Sequence, residues 1–521
     1  MPRCSEVVTL ENRTVKNSAV PTPGGLPTAA LGAQAARGFV WMLGQTVGSK
    51  IFSFGTQIAL ARLLLPRDFG LIALAYTAVA FAGVIRQTGI QQILIQRHAH
   101  FRRWANPAFW FELAVGIATA LLLAIASPVA AIVFHSKALI GLILVIAAAA
   151  PLSPWFVIPT ARLTIDLRFK AIATVNISYN FIAMAISIVL AWRGFGAYSF
   201  VIPLPIAGAI RAIWLWRLAK PRITLNPQFR RWKFLVGDSG LLLATGFLNS
   251  VMYQSGSLAL GLMYSKSVVG QFFLAFNLST QVSQLLSQNV LTVLLPAFSR
   301  MQNETQRHAA AFLHASRMLA FVSIPLCLTM AVIAKPLVLL VYGAKWLPAV
   351  PVLQALALAA VTYVPSSPAI TAMQSQGRFR QLFQWTAVQA AVYIVAVGLG
   401  ARADGATGVA LAILAYSVAT SPVMIRIALR ERSRWREVAR VYLGPILSGA
   451  IAFAPLGCAF ILWPELSHRY FLWLGLGILI PAASFPFTAR WLCPSEFKAA
   501  RGHVTNLACR VRPGWRSRPP P

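Results

Sequence analysis

Acidic residues are scarce in this chain of 521 residues, with 12 Asp and Glu against 46 Lys and Arg and a formal net charge of +34. Charged residues of both signs make up 11% of it and hydrophobic residues 58%. A soluble fold would need far more charge to cover so much apolar surface. Cysteine is sparse too. Cys4, Cys327, Cys458, Cys493 and Cys509 are odd in number and widely spaced, which fits neither a metal site nor a disulfide framework. There is no Gly-rich phosphate loop, no paired-histidine motif and no Gly-x-Ser-x-Gly element, and the polar stretches are too short to house a nucleotide-binding domain. These absences point away from an enzyme and from any cofactor. A basic excess in a soluble protein would indicate nucleic acid. Here the basic residues lie between hydrophobic segments, where they set topology and meet anionic lipids. Anionic lipid, not nucleic acid, is the expected partner.

What is present is a succession of apolar runs, with a mean hydropathy of +0.67. Each run is about 20 residues long, the length a helix needs to cross a bilayer. A spanning β-barrel would show segments of about 10 residues with weak alternation. The chain therefore reads as an all-α polytopic membrane protein with about 14 transmembrane helices, near 39–61, 69–95, 107–134, 139–160, 171–192, 196–216, 234–262, 268–295, 312–341, 349–373, 381–400, 405–426, 439–462 and 470–491. The third and fourth spans are separated by only the short break at His135–Lys137. Residues 1–38 read as a disordered cytoplasmic tail and 492–521 as a basic cytoplasmic tail.

Loop charge sets the orientation. One set of loops carries Arg97, Arg102 and Arg103; Arg162, Arg168 and Lys170; Arg217 to Lys233; Arg300, Arg307 and Arg317; Arg378 and Arg380; and the patch Arg426 to Arg440. The alternate loops are short and mostly hold one basic residue, such as Lys137, Lys266 or Lys345. By the positive-inside rule both termini are cytoplasmic. Residues 58–76 also align without gaps on 258–276, with Ala59, Leu60, Gly70, Leu74 and Ala75 identical at an offset of 200. In both copies the segment is a span exit, a tight turn and the next entry. A parallel repeat of this kind organises many transporters. It predicts six-helix lobes at 39–216 and 234–426, a basic cytoplasmic linker at 217–233 and two additional helices within 427–491.

Ionisable groups at membrane depth are the candidate functional residues, because a charge facing lipid is costly. Lys50 falls near the middle of the first span, Arg86 past the middle of the second and Asp238 near the cytoplasmic end of the seventh. Each has a plainer reading: snorkelling or carbonyl-binding for the two cations, and an interfacial helix cap for Asp238. The eighth span carries Asn277, Gln281, Gln284 and Gln288 at spacings of four, three and four, which puts the amides on one helical face. Such a row either glues helices together or lines a hydrated cavity that takes a sugar.

Gly48-Ser49-Lys50, the run Ala59 to Gly70 (ALARLLLPRDFG), Gln91 to Arg97 (QQILIQR), Leu294 to Gln302 (LLPAFSRMQ) and Val341 to Val350 (VYGAKWLPAV) resemble the polysaccharide transporter branch of the multidrug/oligosaccharidyl-lipid/polysaccharide exporter superfamily. The resemblance covers roughly residues 38 to 490. It implies a bacterial inner-membrane flippase for undecaprenyl-pyrophosphate-linked glycans that feed exopolysaccharide, capsule or O-antigen synthesis. It also implies two six-helix lobes around a cationic cavity, activity as a monomer, and a membrane polymerase and glycosyltransferases as partners. Members commonly carry an aspartate in the seventh span near the position of Tyr253-Gln254, and this chain has no acid there. The competing readings are an exporter of small amphipathic compounds and a membrane scaffold that moves nothing.

Overall fold

The computed structural model describes residues 28–83, 89–96, 100–221, 223–229, 232, 240–429, 435–462, 469–492, 494 and 497. Among them the regular structure is helical: α1 (Thr28–Leu63), α2 (Pro66–Gly83), α3 (Ile90–Gln96), α4 (Phe101–Val133), α5 (Ala138–Ala149), α6 (Ser153–Ile165), α7 (Phe169–Trp192), α8 (Tyr198–Val201) and α9 (Pro203–Ala219) form the first half. The second half holds α10 (Gly240–Met263), α11 (Lys266–Arg300), α12 (Thr305–Leu337), α13 (Ala349–Ser366), α14 (Pro368–Ser375), α15 (Phe379–Ala428), α16 (Trp435–Leu462) and α17 (Tyr470–Leu492). Nine helical segments among the described residues are long and apolar enough to cross a membrane. One of these, α15, is two arms joined by a turn at Asp404 and Gly405, where the backbone leaves helical geometry. The helices follow the order of the expected spans. The chain is a polytopic helical membrane protein.

Short polar side chains inside the bilayer return their hydroxyls to their own helices. Thr77, Ser283, Thr386 and Ser417 each donate to the carbonyl four residues back, which leaves few polar groups to be satisfied across helices. Some prolines sit where they cost least, opening α2, α9 and α14 at Pro66, Pro203 and Pro368, and others lie inside the spans, as Pro128 and Pro325 do. Inside α12, Pro336 is followed by a π turn over Val338–Tyr342, and the chain then reverses at Gly343, whose φ is +99°.

The expected span edges shift in places. The short break between the third and fourth spans is real: α4 stops at Val133, His135 adopts φ +51° and α5 starts at Ala138. The second expected span does not run straight to residue 95. Gly89 has φ +65°, outside helical geometry, and a separate helix, α3, begins at Ile90.

Successive helices turn at two opposite ends of the molecule. One end gathers the tight turns at 64–65, 134–137, 264–265, 343–348 and 404–405, and the other gathers the basic loops. At the tight-turn end α2 and α11 cross with almost no space between their backbones. A Cβ on Gly70 would fall 1.8 Å from the Lys266 carbonyl oxygen, and one on Gly270 would fall 1.8 Å from that of Pro66. The contact is reciprocal, and both pairs obey the offset of 200 seen in the sequence.

The hydrophobic cores divide in the same way. A single large cluster joins both halves around the tight-turn end, with Phe69, Ile72, Phe272, Tyr342 and Trp346 among its members. Towards the basic end the clusters separate. One is built from residues 298–442 alone, and two others from within 90–223 alone. Among the described residues the halves are therefore packed together at the tight-turn end, and the core clusters nearer the basic end each belong to one half.

Candidate substrate cavity

Closure at the tight-turn end is completed by cations set on helix-end carbonyls. The last turn of α1 leaves carbonyls without partners in its own helix. Lys345, in the short turn before α13, donates to the Arg62 and Leu64 oxygens at 2.8 and 2.6 Å. The buried Trp346 indole donates to the Ala61 oxygen at 3.0 Å. In return Arg62 donates to the Val341 oxygen at 2.7 Å and to that of Leu340, both in the π turn. Lys266 at the start of α11 reaches the His135 oxygen at 3.1 Å. Every one of these contacts joins the first half to the second. Burial, reinforced by the Arg62 guanidinium, holds the Lys345 ammonium below the usual lysine value, and Asp68 opposes that shift.

Beyond this latch, one set of interior polar groups among the described residues lies on α1, α2, α7, α9, α10 and α11. Lys50 is half-buried on α1, about 20 Å from its tight-turn end at 1.5 Å per residue. It shares a face with Gln57, two turns away. Gln57 Oε1 accepts a hydrogen bond of 2.8 Å from Gln281 Nε2 on α11. Lys50 thus looks towards the second half. The neighbouring Ser49 is held by Asn180 of α7 at 3.1 Å. One residue along α7, the Tyr179 ring receives the Arg211 guanidinium at 5.3 Å, and Phe156 of α6 flanks the same guanidinium at 5.2 Å. Two cations therefore flank α7 at one level. Arg211 Nε is buried and has no hydrogen-bond partner among the described residues, so a donor is left over for an anion. On the opposite seam Thr77 of α2 donates to Gln254 of α10 at 3.4 Å.

Of the expected set, Gln281 bonds to Gln57, which lies two turns from Lys50 on the same face of α1. Asn277 returns its amide to the Phe273 carbonyl of its own helix at 2.9 Å, and Gln284 is half-buried. Gln281 bonds across helices while its own carbonyl oxygen is buried without a partner among the described residues. Arg86, Asp238 and the side chain of Gln288 lie outside the described residues.

Ionisable groups that were not singled out also lie inside the spans. Arg211 is one. Glu112 of α4 is buried and accepts a hydrogen bond from Ser153 at 3.1 Å. Arg317, which loop counting would place near a span edge, lies within α12 with its Nε buried. Each interrupts an apolar run, so the rule that selected Lys50 would have found Arg211 and Glu112 as well.

Comparison with known proteins gives the arrangement a context. The succinoglycan biosynthesis transport protein ExoT of Rhizobium meliloti (strain 1021) is 26% identical over 366 residues, covering 69% of this chain and 74% of that protein. The lipopolysaccharide biosynthesis protein WzxC of Escherichia coli (strain K12) is 23% identical over 383 residues, or 70% and 76% of the two chains. Among solved structures, the lipid II flippase MurJ in an inward closed conformation superposes with a TM-score of 0.68 at 14% identity, covering 87% of this chain and 98% of that one. An inward-facing multidrug resistance transporter of the MATE family, from the MOP superfamily, gives a TM-score of 0.59 at 13% identity over 74% and 96% of the two chains. At these identities it is the transporter fold that is shared. The polysaccharide biosynthesis protein family matches over residues 59–351, more than half of the sequence, and the chain belongs to that family.

Proposed function

We propose that this protein flips lipid-linked oligosaccharide and polysaccharide precursors from the cytoplasmic to the periplasmic leaflet of the bacterial inner membrane. One observation carries the reading: the halves share a core and a cationic latch at the tight-turn end, whereas among the described residues the cores nearer the basic end each belong to one half. With the basic loops in the cytoplasm, this is a transporter closed to the outside. The lobes 39–216 and 234–426 rock about an axis normal to the membrane, a motion supported by the reciprocal Gly70 and Gly270 contact. The relatives named for succinoglycan transport and lipopolysaccharide biosynthesis support a glycan cargo.

In this mechanism Lys50, Arg86 and Arg211 hold the pyrophosphate. Attraction between unit charges is stronger in a site of low effective dielectric than in water, and Arg211, walled by two rings, adds directional donors. Asn277, Gln281, Gln284 and Gln288 accommodate sugar hydroxyls once the halves part. No bond is made or broken, and the protein needs no cofactor. It works as a monomer, with both termini cytoplasmic, and passes its product to a polymerase fed by membrane glycosyltransferases.

The test is glycan export in cells carrying Lys50→Gln or Arg86→Gln, normalised to correctly inserted protein. Export should fall by about tenfold or more for Lys50→Gln, the loss of about one strong charged contact, and Lys50→Arg should retain part of it. Near-normal export from both glutamine variants would overturn the cavity role.

A further inference from the structure

A separate cavity of about 520 Å³ opens at the basic end of the first half, between α1, α7 and α9. It is lined by Trp41, Arg168, Lys170, Thr174, Trp214 and Leu218 among others. Its direction can be read from α7. Lys170, Thr174, Phe181 and Trp192 fall within about 40° of one another around the helix at 3.6 residues per turn. Phe181 is 53% exposed and Trp192 79% exposed, and exposed aromatic side chains along a membrane helix face lipid. Tyr179, which meets Arg211, points about 180° away. The cavity therefore faces the bilayer and not the substrate path.

Its chemistry is that of a head-group site. The Lys170 ammonium lies 5.3 Å from the Trp41 ring centroid, which ties α7 to α1. Arg168 donates to the Leu218 carbonyl at 3.1 Å, which ties α7 to α9 and leaves the remaining guanidinium donors of Arg168 at the cavity wall. Trp41 and Trp214 come from two different helices and sit where indoles favour the membrane interface. Two cations at the head-group level, two indoles and the apolar α7 stripe running away from them match a phosphate head group with acyl chains attached. We propose that this cavity binds an anionic phospholipid of the leaflet at the basic end, and that the bound lipid clamps α1 and α9 to α7. A phospholipid is favoured over the transported lipid because the cavity lies on the face of α7 opposite the internal cations.

Photo-crosslinking reads this site alone. The full-length protein carrying benzoylphenylalanine at position 174 is reconstituted in vesicles of equal parts phosphatidylglycerol and phosphatidylcholine and irradiated, and the adducts are identified by mass. Phosphatidylglycerol adducts should exceed phosphatidylcholine adducts by about tenfold, as two surface cations would give. Lys170→Gln should lower the ratio to about threefold, because Arg168 remains, Lys170→Arg should keep it, and the same probe at position 181 should show no preference. Equal labelling by both lipids in the unsubstituted background would overturn the assignment. So would undecaprenyl phosphate added to the vesicles displacing the phosphatidylglycerol adduct, because the cavity would then belong to substrate capture.

Discussion

Lys50 and Arg211 flank α7 at one depth but are held differently, so they should answer differently to substitution. Lys50 presents a point charge on a flexible stem. Arg211 is set between Phe156 and Tyr179 with one donor unused. Arg211→Lys keeps the charge but gives up planar stacking, worth about 0.5–2 kcal/mol. Export should therefore fall several-fold for Arg211→Lys and further for Arg211→Gln, with insertion unchanged. Equal export by Lys and Gln variants at this position would show that charge there is not used. At this scale the sequence was partly legible. An ionisable residue inside an apolar run announces itself, which located Lys50. The latch was hidden for a physical reason: Lys345 and Trp346 pair with backbone carbonyls of residues 61–64, and an acceptor carbonyl belongs to every residue type, so it leaves no trace in side-chain identity.

Helices show the same contrast. Apolar run length placed many helix ends within a few residues, because the bilayer imposes that length, but α1 begins at Thr28, inside the segment read as a tail, since a helix can continue beyond the apolar stretch. The break at Gly89 was missed, since apolar residues resume past it at Ile90 and only the glycine hints at a turn there. The repeat offset pointed to Gly70 and Gly270 as equivalent positions, and the structure gives the reason for glycine at both. A Cβ at either would collide with backbone of the opposite helix. Gly70→Ala or Gly270→Ala should each destabilise the closed tight-turn end by about 1–3 kcal/mol, the usual cost of overpacking. The double variant should cost less than the sum, because one separation of α2 from α11 relieves both. Thermal unfolding in detergent measures this, and full additivity would contradict a shared contact. Removing the latch acts on the same interface. Lys345→Met loses two charge-assisted contacts, each worth about 1.5–3 kcal/mol when shielded from water. The population open at the tight-turn end should rise, and a cysteine placed at the buried Ala275 should react faster with a maleimide added outside intact cells. An unchanged labelling rate would mean that the latch does not hold the halves.

At the scale of the molecule, the described residues form one shared core at the tight-turn end and divided cores nearer the basic end, the asymmetry that the proposed alternating-access cycle requires. Topology follows from the loops. A cysteine in the 217–233 linker should be shielded from impermeant reagents in intact cells, and periplasmic labelling there would invert the whole scheme. The most direct measurement is flipping itself. The purified protein is reconstituted in vesicles with an undecaprenyl-pyrophosphate-linked oligosaccharide bearing a fluorescent sugar, and a reagent added outside quenches whatever reaches the outer leaflet. The account predicts time-dependent loss of the protected fraction that depends on the protein and falls to the empty-vesicle rate with Lys50→Gln. Loss no faster than in empty vesicles, from protein shown to be folded and inserted, would contradict it.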